Sequence, residues 1–229
     1  MDETDLNANR LQKSCFRIAG RFRALSNSVI DRIGALHLHQ WSKRGFASPP
    51  PPAVKRAVLR RYSDPGCAWI ETGTFFGDTT AFLSTIGRSV HSIEPQPELA
   101  ARARKRFANC PTVTIIEARS EDCLDEVLSK MTGSGRLWLD GHYSGGITYQ
   151  GPQDTPIRDE LSIIERHLDH LSDVAIMIDD LRMFDPAWSD AVDYPTRSEL
   201  VLWADRLNFW WTIEHDIFIA SSRPLIVDP

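Results

Sequence analysis

No two of the four cysteines (Cys15, Cys67, Cys110, Cys123) in this 229-residue chain are spaced as C-x-x-C, and they do not cluster. That argues against thiolate metal sites and a disulfide framework, and it favours a reducing compartment. No apolar run approaches the ~20 residues of a membrane span. The opening MDETD lacks the apolar core of a secretory signal, so a cytoplasmic location is expected. No internal repeat is visible, and there is no surplus of positive charge. The net charge is -5, whereas phosphate binding wants a basic surface, so nucleic acid is not the expected partner. With 42% hydrophobic and 25% charged residues, the composition is that of a soluble globular chain rather than a disordered one.

The charge is unevenly spread. Residues 1–45 carry eight Lys/Arg against four acidic residues, a balance of +4, so the remainder carries -9. Leu11, Cys15, Ile18, Phe22, Leu25, Val29, Ile33 and Leu36 recur at steps of three and four. This is the stripe of an amphipathic helix, broken near Ser26–Ser28. The run Ser48–Pro52 (SPPPP) then removes backbone donors and reads as a stiff joint. The expected organisation is a basic helical arm over 1–48, a proline linker over 49–52 and a body over 53–229. Packing against the body is the simplest use of the arm. A lid, a homodimer contact and a membrane-surface helix are the alternatives.

In the body, short apolar runs alternate with helical periodicity. A short helix from Ala53 to about Tyr62 comes first. Strands are expected at Cys67–Glu71, Ser89–Glu94, Thr112–Ala118, Arg136–Asp140 and Val174–Asp179, with helices after Gly77, from Pro97, from Ser120, from Pro156 and around Arg197–Leu207. Such alternation specifies a parallel sheet covered on both faces. The last two runs, FWWTIEH and IFIASS, are too close for a crossover helix and should form an antiparallel hairpin. The fold class is therefore α/β: a doubly wound, mostly parallel sheet of seven strands. Phe209–Trp211 reads as sheet core rather than a stacking platform, His91 as structural, and Ser120 and Thr155 as helix caps, with Pro156 in the first helical turn.

In such sheets ligands bind beyond the carboxyl ends of the strands. The first expected strand leads into ETGTFFGDTT, where Gly73 allows a tight turn and Gly77 a close helix approach. Phe75 fills the middle position of a G-x-G-x-x-G pattern, which disfavours a dinucleotide. The second strand ends in Glu94, placed to accept ribose hydroxyls. Ser120, after the third strand, can line an adenine or cap a helix. The fourth and fifth strands end in Asp140 and in Asp179-Asp180, so three carboxylates arrive from two neighbouring hydrophobic runs.

Residues Glu71–Thr79, matching E-x-G-x-x-x-G-x-S/T, together with Glu94, Asp140 and Asp179-Asp180, resemble the class I S-adenosylmethionine-dependent methyltransferases. The chain is most similar to their metal-dependent small-molecule O-methyltransferases, including the catechol, sugar and antibiotic-tailoring enzymes. The resemblance covers roughly Cys67 to the C-terminus and implies a Rossmann-like methyltransferase fold. It implies S-adenosylmethionine held by Glu71, Gly73, Thr74, Phe75, Gly77, Thr79, Glu94, Ser120 and Asp140. It also implies Mg²⁺ or another divalent cation on Asp140, Asp179 and Asp180, with a hydroxylated small molecule as acceptor. Hard oxygen ligands suit such an ion. Asp140 and His142 are the expected catalytic residues. His142 stands where the catechol enzymes have a lysine base, and base, metal ligand and bystander are all open to it. Two other readings are a cofactor-binding protein without transferase activity and a nicotinamide-dependent oxidoreductase. The latter is disfavoured by Phe75 and by the lack of a Tyr-x-x-x-Lys pair.

Overall fold

Odd and even residues of each central strand go to opposite faces, and both faces are apolar. A computed structural model describes residues 34–141, 155–187 and 193–225. In β1 (Ala68–Thr72), Ala68 and Ile70 join one core while Trp69 joins the other. β4 (Gly133–Leu139) splits Leu137 and Leu139 from Trp138 in the same way. So does β5 (Leu171–Ile178), with Ile176 and Ile178 against Ala175 and Met177. This period-two alternation of apolar residues explains the continuous hydrophobic runs of the sequence, since a strand buried on both faces has no polar side to show.

The first core lies under α5 (Ser120–Ser129), α6 (Ile157–Arg166) and α7 (Arg197–Arg206). The second takes Val58 and Leu59 from α2 (Pro52–Arg61) and Leu83 from α3 (Asp78–Leu83). With β2 (Ser89–Glu94), α4 (Pro97–Arg106) and β3 (Val113–Glu117), the sheet order is β3-β2-β1-β4-β5-β7-β6. The first five strands are parallel, and the order reverses between β1 and β4. β6 (Trp210–Glu214) and β7 (Ile217–Ser221) form the antiparallel hairpin. Its two-residue turn has positive φ at both His215 and Asp216, the type I′ geometry that suits strand twist. This is the expected doubly wound, mostly parallel seven-stranded sheet with an antiparallel C-terminal hairpin.

β7 lies beside β5 and β6 is the edge strand, an order that the hairpin alone does not decide. Several expectations need correction. On the edge strand, Trp210 and Trp211 are exposed rather than core. The N-cap of α5 is Arg119, and Ser120 is already helical. Pro156 is the N-cap of α6, with Thr155 Oγ1 accepting from the Ile157 N–H at 3.4 Å. The helix expected to run on to Leu171 stops at Arg166. A 3₁₀ turn at Leu168–His170 follows, and β5 begins three residues before Val174.

Two units divide the chain at Ala53/Val54. In the first, residues 34–43 are helical (α1), and the Trp41 indole N–H donates to the Ala47 carbonyl at 2.8 Å. The rest of the arm, residues 1–33, lies outside the described residues, as does the loop holding His142.

Candidate active site

The parallel strands present their carboxyl ends on both sides of the switch between β1 and β4, and the candidate residues are ranged there. Backbone bonds fix the strand ends relative to one another. The Gly73 N–H donates to the Ile93 carbonyl at 2.9 Å, Asp140 N–H to Thr72 at 3.1 Å, and Asp179 N–H to Leu139 at 3.1 Å.

The loop between β1 and α3 turns through positive φ at Gly73, Phe75 and Gly77. Gly73 must lack a side chain, because a Cβ would stand 2.5 Å from the Asp140 carbonyl oxygen. Phe75 pays for the left-handed conformation with a held backbone: its N–H donates to Glu94 Oε2 at 2.7 Å. The other Glu94 oxygen accepts from the Gln96 N–H at 3.0 Å. Burial raises the Glu94 pKa, offset by these two donors. The second lone pair of each oxygen is what a ribose could use. Phe75 itself is exposed, and Thr79 is half-buried in the first turn of α3.

Glu71 and Thr74 face inward. Glu71 is fully buried and its Oε2 accepts from the Thr80 and Ser92 hydroxyls, each at 2.5 Å. Thr74 Oγ1 lies 2.6 Å from Ser92 Oγ, which extends this hydroxyl chain under the loop. The two therefore support the loop from below, with their side chains turned away from its outer surface into the hydroxyl chain. Burial pushes the Glu71 pKa up to about 7 against the opposing hydroxyl bonds. Ser120 is likewise buried, at the start of α5.

Beyond β4 and β5, Asp140, Asp179 and Asp180 each offer an oxygen within 4.8 Å of the others. Asp179 is 1% exposed and its Oδ1 has no hydrogen-bond partner, whereas Asp140 and Asp180 are half-buried. Burial raises the Asp179 pKa; Lys55 opposes this and Asp180 adds to it. Three carboxylates drawn together, one of them buried with an unpartnered oxygen, are a donor set that fits a hard divalent cation. His142, outside the described residues, cannot be placed against it.

Three further participants, Lys55, Arg182 and Asp216, carry no signal in spacing or periodicity. The Lys55 ammonium, from α2, bonds Asp179 Oδ2 and lies 3.3 Å from Asp180 Oδ1. Arg182 donates to the same Asp180 oxygen at 2.7 Å and also pairs with Asp216. Asp216, in the β6–β7 turn, accepts the Arg182 N–H at 2.7 Å, and its carbonyl accepts the Leu181 N–H at 2.8 Å. The hairpin turn thereby fastens the segment after Asp180, itself in the left-handed region with φ 53.

No family model and no curated protein matches the chain. Among solved structures it is similar to an rRNA methylase from Streptococcus thermophilus, at 19% identity and TM-score 0.46, covering 76% of this chain and 96% of that one. It is also similar to the 23S rRNA methyltransferase ErmE, at 13% identity and TM-score 0.45, covering 79% and 72% respectively. A third similarity is to DhpI in a complex with SAM and HEP, at 11% identity and TM-score 0.46, covering 86% and 97%.

Proposed function

We propose that the protein is an S-adenosylmethionine-dependent methyltransferase that methylates a hydroxyl of a small molecule or sugar, with a divalent cation held by Asp140 and Asp179 and completed by Asp180. The observation that carries this reading is the three-carboxylate cluster beside the glycine loop, with its one buried, unpartnered oxygen. Lys55 and Arg182 offset part of the repulsion among these carboxylates, and a divalent cation on the oxygen they leave bare would offset the rest.

In this reading Glu94 serves twice, holding the Phe75 N–H and accepting the cofactor's ribose hydroxyls. Gly73 keeps the loop low enough for the cofactor to lie across the ends of β1 and β4. When bound, the cation would supply a lowered hydroxyl pKa and a fixed oxygen position. Asp140, Asp179 and Asp180 would hold it. Alignment is most of what the transfer requires. The acceptor oxygen bonds the methyl carbon as the carbon–sulfur bond breaks, its electron pair staying on sulfur, and the hydroxyl proton passes to His142.

Calorimetric titration with S-adenosylhomocysteine, with and without Mg²⁺, tests the proposal on wild type and Asp179→Asn. The expected result is micromolar cofactor binding in both, with a separate Mg²⁺ signal lost in the variant. Absence of cofactor binding sinks the methyltransferase reading. A Mg²⁺ signal indifferent to Asp179 removes only the metal assignment.

A further inference from the structure

Lys55 meets the carboxylate cluster from a helix and not from a strand end. Its ammonium bonds the inner oxygen pair, Asp179 Oδ2 and Asp180 Oδ1, and leaves Asp179 Oδ1 without a partner. Asp179, itself almost without solvent access, therefore has one oxygen neutralised and one bare. Arg182 draws Asp180 Oδ1 outward at 2.7 Å, so Lys55 is the cation placed against the buried aspartate. A dication that took up Asp179 would share its carboxylate with this ammonium. Two positive centres on one carboxylate repel strongly where the dielectric is low. Lysine can resolve the conflict by moving: its ammonium is a point charge on a flexible four-carbon stem, and the side chain is 21% exposed at the site's edge.

We infer that Lys55 is a resident cation that competes with the divalent ion for Asp179 and Asp180, and that metal loading requires its ammonium to withdraw. This rests on the proposed reading of the cluster as a metal site. Lys55 acts on affinity through the two aspartates, so it is a positioning residue. Without metal it holds the repelling pair together. With metal it is displaced and becomes a free cation at the rim of the site.

Mn²⁺ binding to the full chain, followed by the electron-paramagnetic signal of the free ion with no acceptor present, tests this. Lys55→Met is expected to bind Mn²⁺ about tenfold more tightly than wild type, because a competitor of unit charge is gone. Lys55→Arg keeps the charge and should bind close to wild type. The metal-free thermal midpoint of Lys55→Met should fall, and Mn²⁺ should restore it. Should Lys55→Met fail to fold, Lys55→Gln carries the same expectation. Equal or weaker Mn²⁺ binding by the neutral variant overturns the competition while leaving the metal site in place. No Mn²⁺ binding by any variant overturns both. S-adenosylhomocysteine titrated into the same samples reports separately on the cofactor reading, and its failure to bind would leave the Lys55 result standing.

Discussion

The Cα of Gly73 faces the backbone carbonyl of Asp140 so closely that a methyl group there would lie 2.5 Å from the oxygen. One residue thus couples the loop after β1 to the strand end that carries the first carboxylate. Gly73→Ala adds both this collision and the strain of an L side chain at φ 89. We expect a loss of roughly 2 kcal/mol in stability and at least tenfold weaker binding of S-adenosylhomocysteine by calorimetry. Wild-type affinity in a folded Gly73→Ala protein would show that the loop does not contact the cofactor.

Glu71 should give the protein a pH-dependent stability. Its pKa is about 7 when folded, against an ordinary value of 4.5. Between these values the folded state retains a proton that the unfolded chain has released. Stability therefore falls as pH rises from about 4.5 to about 7 and levels off above it. The effect is at most about 3 kcal/mol, from ~1.4 kcal/mol for each pH unit. Urea midpoints across this range should show the slope in wild type and a flatter profile in Glu71→Gln. Superimposable profiles would exclude Glu71 as the source.

The sheet was legible in the sequence because its strands are short apolar runs with helical periodicity between them, and the carboxylates were legible because they end two of those runs. Lys55 was not: it lies 124 residues from Asp179, in a helix whose basic residues look like an ordinary solvated face. The inward turn of Thr74 depends on loop dihedrals that spacing does not reveal. Nor could periodicity decide which strand of the last hairpin joins β5. A hairpin can add to a sheet either way round, so Trp210 and Trp211 read as core when they stand at the edge.

Asp216 is no ligand in the proposed site, yet its removal should be felt there. Asp216→Ala releases the Arg182 backbone N–H and its guanidinium, two of the three contacts by which the turn fastens the segment after Asp180, and keeps only the Leu181 N–H to the residue 216 carbonyl. The expected outcome is Mn²⁺ affinity reduced several-fold with S-adenosylhomocysteine affinity unchanged. Reduction of both together would point to general loosening of the fold.

Arg136 forms the buried ion pair at the opposite end of the sheet. It is 7% exposed and donates to Asp173 at 2.7 Å and Asp64 at 3.0 Å. Arg136→Met leaves Asp173, 3% exposed, without this partner, and should cost about 3 kcal/mol in urea denaturation. Arg136→Met with Asp173→Leu should recover much of that loss. A double variant no better than the single one would mean that the pair contributes through packing and not charge.

The hairpin order also governs how the chain can be made. β5 is complete at Ile178, but its antiparallel neighbour is Ile217–Ser221, a strand whose five residues are all buried. A ribosome releases β5 about forty residues before that partner, and β6 emerges first although it belongs farther out. During synthesis one side of β5 therefore stays open until β7 threads into the gap. In that interval an apolar strand edge invites wrong pairing or capture by a chaperone. Closure of this half of the sheet therefore waits on the emergence of β7, and ribosome-stalled chains that do and do not expose Ile217–Ser221 should differ in their resistance to protease.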